Sequence, residues 1–161
     1  ERTFQLVTQA AGRAGRAGKH GRVVLQAYNL DDYSIQAAIR QDYHEFFRHE
    51  IKLREELKLP PFYQFGLVLV SGKDKERVRK ITEQIHTDIT DNLEMSRGML
   101  ISAPAPSPIS KIKGRYRWRI LPKHPSIKYL GKILEWVNDS YNKKGLRDYT
   151  VSVDINPSNM V

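Results

Sequence analysis

Apolar residues along the second part of the chain alternate between strand and helix periods. The run Phe62–Gly72, FYQFGLVLVSG, is dense in aromatic and aliphatic residues and predicts a strand. From Asp74 to about Leu93, Val78, Ile81, Ile85, Ile89 and Leu93 recur three or four apart, which predicts a helix. Met99–Ala103 reads as a second strand, followed by the proline-punctuated PAPSP, and Lys113–Lys123 reads as a third. Ser126 is placed to cap a second helix carrying Leu130, Ile133, Leu134, Val137 and Tyr141, with Gly145 as its stop. Tyr149, Val151, Val153 and Ile155 alternate in a fourth strand. The order β-α-β-β-α-β is that of a split βαβ, ferredoxin-like α+β domain over residues 61–161.

The first sixty residues read differently. Phe4, Leu6, Val7 and Ala10 stand at roughly helical spacing before a glycine-rich stretch, and Arg22–Tyr28, RVVLQAY, has the composition of a short strand. A lone helix and strand cannot close a core, so residues 1–30 are expected to be the remnant of a domain that begins before Glu1. Over residues 31–60, Asp31 and Asp32 are expected to cap one long connector helix with Ile35, Ile39, Tyr43, Phe46, Phe47, Ile51 and Leu57 along it, ended by Pro60-Pro61. The Phe46-Phe47 pair suits either core packing or a partner-binding knob.

Charge changes this picture. The net +9 is spread unevenly: +4 over residues 1–30, −2 over 31–59, zero over 60–108 and +7 over 109–161. Cations clustered at both ends attract polyanions, which makes nucleic acid the first candidate partner. The absence of cysteine suits an intracellular protein and removes thiolate metal sites. No apolar run approaches the ~18 residues of a membrane span, so no membrane partner and a cytoplasmic location are expected. His20, His44, His49, His86 and His124 show no metal-ligand spacing, and no metal site is expected.

Two stretches carry candidate chemistry. In QAAGRAGRAGKHGRVVLQ, Gly12, Gly15, Gly18 and Gly21 recur every third residue with Arg13, Arg16, Lys19 and Arg22 between them. The repeat stops too soon for collagen. It is also no P-loop, since Arg13 stands where the first glycine belongs and His20 where the magnesium-binding hydroxyl belongs. Arg13 and Arg16, three apart, can reach one side of a loop, and guanidinium forks suit phosphate oxygens. In KIKGRYRWRI, Lys111, Lys113, Arg115, Arg117 and Arg119 alternate with Ile112, Gly114, Tyr116, Trp118 and Ile120. A single strand would put five cations on one face, about 6.6 Å apart, a spacing along which phosphates of an extended strand could be met. The same residues also suit an exposed face of snorkelling side chains paired with carboxylates. Tyr116 and Trp118 suit the core, or base stacking if their face is open.

Gln9–Arg16, QAAGRAGR, resembles motif VI of superfamily 2 helicases, QxxGRxGR. The surrounding ERTFQLVTQAAGRAGR, the stretch from Tyr28 to Phe62, APAPSPISKIKGRYRW and VDINP are similar to the primosomal replication-restart helicases of the PriA family. The resemblance implies that residues 1–30 belong to the second RecA-like lobe, with Arg13 and Arg16 as catalytic arginine fingers and Gln9, Gly12 and Gly15 at the ATP site. The Walker residues for ATP and magnesium would lie on another lobe, and zinc in a cysteine-rich region upstream. It implies 3′ to 5′ unwinding at stalled forks, primosome loading, a nucleoid-associated location, and other primosome proteins as partners. Lys128 and Lys132 become candidates for the acidic tail of single-stranded-DNA-binding protein. Two other functions fit the residues: a stand-alone single-stranded nucleic-acid-binding module, and a structural assembly domain with no ATPase role.

Overall fold

The chain divides into two units, Glu1–Leu57 and Lys58–Val161. The computed structural model describes residues 1–14, 22–92, 97–142 and 148–157. The described residues form a mixed structure of five helices and an antiparallel sheet. No described helix is long and apolar enough to cross a membrane.

In the first unit, helices α1 (Arg2–Arg13), α2 (Tyr33–Arg40) and α3 (Tyr43–Glu56) meet around Phe4, Ala37, Ala38 and Phe46. Phe4 and Phe46 stack with ring centroids 4.4 Å apart, and Ala37 and Ala38 let α2 approach them closely. Phe46 is thus a core residue, while Phe47 is half exposed and stacks on Tyr43. The expected single connector helix is two. Gln41 turns left-handed at φ 54°, and the Asp42 carboxylate accepts from the Glu45 N–H at 2.8 Å, capping α3 as a new helix. That break swings Phe46 onto Phe4. Asp32, not Asp31, caps α2, accepting from the Ser34 N–H at 2.9 Å. The strand expected over Arg22–Tyr28 is absent: no strand pairs with it among the described residues, and Val24 and Tyr28 are exposed. β-composition cannot make a strand without a partner to bond.

The second unit is built around β1 (Gln64–Gly72), whose even-numbered residues Gly66, Val68, Val70 and Gly72 are buried. On one side it pairs with β6 (Tyr149–Ile155), and on the other with β4 (Arg115–Ile120) and then β5 (Pro122–His124). The pairs Val68↔Ile120 and Gln64↔His124 keep one register, so β4 and β5 act as one strand interrupted at Leu121. Outside them lie β3 (Ala105–Ile112) against β4 and β2 (Leu100–Ile101) against β5. Helices α4 (Lys75–Thr90) and α5 (Ile127–Tyr141) cover one face, where Val68, Val70, Ile120 and Val151 meet Ile85, Ile89, Leu130 and Leu134. Each such side chain removed from water stabilises the fold by about 1.5–3 kcal/mol. Asp74 and Ser126 cap the two helices, accepting from Arg77 and Tyr129 N–H groups; the Ser126 cap and the strand over Tyr149–Ile155 are as the sequence indicates. The stops expected at Leu93 and Gly145 lie outside the described residues.

Two strands differ from expectation. The second, expected over Met99–Ala103, is reduced to Leu100–Ile101, and a further strand, Ala105–Ile112, pairs with β4 despite Pro106 and Pro108, which an edge strand tolerates. The third begins at Arg115 rather than Lys113, because Lys113 (φ 47°) and Gly114 (φ 77°) form a two-residue hairpin turn that needs positive φ at both positions.

Gly66 is required by close packing: a Cβ there would stand 2.8 Å from Pro122 Cγ and 3.2 Å from Leu134 Cδ1, whereas at Gly131 the nearest atom would be Ile155 Cδ1 at 3.7 Å. Gly66→Ala is predicted to lower unfolding free energy by about 1–3 kcal/mol, and Gly131→Ala to raise it by about 0.5–1 kcal/mol through helix propensity, both read by urea denaturation. Asp32 is held below the usual carboxylate range, chiefly by the Ser34 hydroxyl. Its contribution is therefore complete above the unfolded carboxylate value and disappears as pH falls through the lower folded value. Acid titration of helix content should show Asp32→Asn less sensitive than the parent in that window.

Candidate nucleic-acid interface

The first unit presents one end of α1. Phe4 and Val7 face the aromatic cluster, and Gln9 and Arg13, one turn apart, project from the other side and are exposed. Gln9, Gly12 and Arg13 thus belong to the last turns of a helix, not to a loop after it; Ala14, extended at φ −80° and ψ 132°, is where the helix ends. A Cβ on Gly12 would meet nothing within 4 Å, so nothing in the described structure demands a glycine there. Gly15 and Arg16 lie outside the described residues. Gln9 and Arg13 could touch a nucleotide held by other groups but form no cradle of their own. No cluster of three or more His, Cys, Asp or Glu suited to a metal occurs among the described residues.

Behind α1, Tyr33 donates to Glu50 at 2.5 Å, and Arg54 joins Glu50 (2.7 Å) to Glu1 (2.8 Å). Burial and the Glu50 bond push the Tyr33 hydroxyl up to about 12. For Glu50, burial pulls upward, but the bonds from Tyr33 and Arg54 prevail and hold its carboxyl below the ordinary value. This network ties α1 to α2 and α3 and is structural.

The second unit presents the sheet face opposite α4 and α5. Strand alternation and the Val70↔Trp118 and Val68↔Ile120 pairs send Trp118 and Ile120 to the core, so Arg115, Arg117 and Arg119 take the other face. Arg119 stands beside Leu69 and Arg117 beside Ser71. Arg115 reaches across the end of β1, donating to the Ser71 carbonyl at 2.9 Å and Thr150 Oγ1 at 3.3 Å; both are neutral acceptors, so its charge is retained. Arg117 donates to the Ile109 carbonyl at 3.5 Å.

The expected row of five cations on one strand is corrected by the hairpin. Lys113 occupies the turn. Lys111 lies on β3 opposite Tyr116, hence on the helix side, with Nζ 4.5 Å from the Tyr116 ring centroid. The same parity extends the row in the other direction, to a residue that the sequence reading missed. Lys123 on β5 faces outward, paired with Phe65 and 4.7 Å from its ring centroid. The signal was present in the sequence: 115, 117, 119 and 123 share parity, and Leu121 merely breaks the run of charge. Trp118 packs against the core and Tyr116 lies under Lys111, so neither offers bases a free ring. Leu67 and Leu69 supply the half-buried apolar surface beside the arginines.

The family described as primosomal protein N C-terminal domain matches residues 55–158. The chain belongs to this family. Among curated relatives, the replication restart protein PriA of Bacillus subtilis (strain 168) is 35% identical over 162 residues, covering 100% of this chain and 20% of that protein. That of Haemophilus influenzae is 32% identical over 160 residues, covering 99% of this chain and 22% of the relative. That of Synechocystis sp. is 37% identical over 126 residues, covering 78% and 15%. The chain thus spans about a fifth of the length of the first two. In this member of the primosomal protein N C-terminal domain family, the matched residues include every strand of the arginine face. Residues 1–54 lie outside that match and are reached by the near full-length alignments.

Lys128 and Lys132 are one turn apart on α5, both exposed, with Ile127 also exposed beside them. They stand on a helix that packs against the other side of the sheet from the arginines. Facing sets the expected outcome of substitution. Arg117→Ala should weaken single-stranded DNA binding and lower its salt slope by about 0.7, whereas Lys111→Ala should leave the slope unchanged; fluorescence anisotropy across a salt series distinguishes them.

Proposed function

We propose that the chain is the C-terminal part of an ATP-dependent 3′ to 5′ DNA helicase that recognises stalled replication forks and restarts replication by primosome loading. The observation that carries the reading is the column of Arg115, Arg117 and Arg119 on the helix-free face of a sheet within the family match. The relatives are replication restart proteins by name, and this supplies the process. We read the second unit as a ferredoxin-like domain, supported by the lateral order of β6, β1, β4 with β5, and β3 with β2. Residues 1–30 are read as a remnant of a RecA-like lobe.

In this reading the arginine row, extended by Lys123, meets the phosphates of a DNA strand by sequence-independent contacts. The nucleotide is held by residues outside this chain. When bound with magnesium, ATP supplies the phosphoryl group whose hydrolysis drives translocation. Gln9, Gly12 and Gly15 stand beside it, and Arg13 and Arg16 stabilise the charge that develops on the transferred group, a role worth about 10³–10⁵ in rate. Lys128 and Lys132 are offered to the acidic tail of single-stranded-DNA-binding protein, and other primosome proteins complete the set of partners.

Replacing Arg115, Arg117 and Arg119 together with alanine should lower the salt slope of single-stranded DNA binding by about 2, from about 0.7 per phosphate. An unchanged slope would point to an assembly domain that does not grip nucleic acid. Arg16→Ala in the full-length protein should abolish ATP hydrolysis and spare DNA affinity. If hydrolysis persists, the glycine-arginine stretch is a phosphate-touching accessory of a binding module. The 161-residue chain alone should show no ATPase activity.

A further inference from the structure

The two edges of the sheet are finished differently. The β3 edge carries Pro106 and Pro108, which offer no N–H to an incoming strand. The β6 edge has no proline between Tyr149 and Ile155 and, among the described residues, pairs with β1 alone.

Which β6 backbone groups face outward follows from one bond. Asn156 donates its N–H to the Phe65 carbonyl at 2.8 Å, so Asp154 and Ser152 also turn their backbone groups toward β1, and Val151, Val153 and Ile155 turn theirs away. The side chain of Asn142 confirms the alternation: its Nδ2 donates to the Val151 carbonyl at 2.6 Å and its Oδ1 accepts from the Val151 N–H at 3.2 Å. One amide thus closes the edge at Val151. Val153 and Ile155 have no such partner among the described residues.

Beside these open groups runs a groove of roughly 420 Å³ between β6 and α5, lined by Gly131, Leu134, Asn138, Val153 and Ile155. Gly131 keeps its wall low. Glu135 and Asp154 are exposed carboxylates on its rim, and neither has an ion pair among the described residues.

We infer that the Val153–Ile155 edge accepts an extended segment of another protein as an added strand, and that the segment alternates apolar with basic residues. Pairing fixes that alternation. Residues opposite Val153 and Ile155 point toward α5 and fill the groove over Leu134, and the residue opposite Asp154 points to the other face, where a lysine or arginine meets its carboxylate. The residue opposite Asp154 shares a sheet face with the arginines, and the site does not depend on the helicase reading.

The probe is a fluorescein-labelled heptapeptide of alternating valine and lysine, titrated against the whole 161-residue chain. Saturable binding is expected, with amide exchange at Val153 and Ile155 slowed about tenfold or more. Ile155→Pro removes an outward N–H without breaking a bond to β1, and should weaken binding about tenfold while leaving the melting temperature and DNA affinity as they are. Asp154→Lys should transfer preference to a valine-glutamate peptide, a readout that stands if the proline variant does not fold. Equal binding by a peptide N-methylated on its pairing nitrogens would overturn the inference. So would protection of Val153 and Ile155 without peptide, whether in a concentration-dependent dimer, which assigns the edge to a second copy, or in the full-length monomer, which assigns it to the protein's own remaining chain.

Discussion

The two positive φ angles at Lys113 and Gly114 govern the surface of the second unit. A turn of two residues leaves Ile112 opposite Arg115 and fixes the parity of everything that follows on β4. With that parity Trp118 and Ile120 enter the core and the arginines are excluded from it; a slip of one residue would bury guanidinium groups against Ile85 and Leu134. The hydrophobic core and the basic face are therefore consequences of one register. The apolar pattern enforces it, and the charge pattern is carried along. The same register continues past Leu121 into β5, which is why Lys123 joins the row although Ile120, Leu121 and Pro122 separate it from Arg119 in the chain.

Sequence periodicity revealed those elements whose stabilising partners are regular. Val78, Ile85 and Ile89 recur at helical spacing because they face a flat sheet, and Val151 and Val153 alternate because β6 has one buried side. The cap at Ser126 was legible because a short polar side chain before an apolar run has a local purpose. The hairpin was not legible, since strict alternation of cations through Lys113 imitates an unbroken strand and only Gly114 interrupts it. Nor was the break at Gln41: the Asp42 to Glu45 cap lies inside a stretch whose apolar spacing passes for one helix. The Arg22–Tyr28 segment failed for the opposite reason, because its composition favours a strand that no described neighbour completes.

The candidate sites divide along the same line. Gln9 and Arg13 could be placed because α1 is anchored by Phe4, which fixes the helix's rotation and hence the side on which they stand. The arginines of β4 could be placed because the core fixes their face. Lys111 could not be assigned from the sequence, because its face depends on the two-residue turn at Lys113 and Gly114 that sets it opposite Tyr116. The family match covers the arginine-bearing sheet, and the helix ending in QAAGR is reached by the alignments with the Bacillus subtilis and Haemophilus influenzae relatives.

The amide of Asn142 stands in for a missing strand at Val151, with one donor and one acceptor matched to a backbone that needs both. That substitution makes the edge chemically perishable. Spontaneous hydrolysis of this one side chain to a carboxylate would turn its donor into a second acceptor and set oxygen against the Val151 carbonyl. Ageing of the protein at this position would then open the outward groups of Val151 while the ladder from β6 to β1 stays in place.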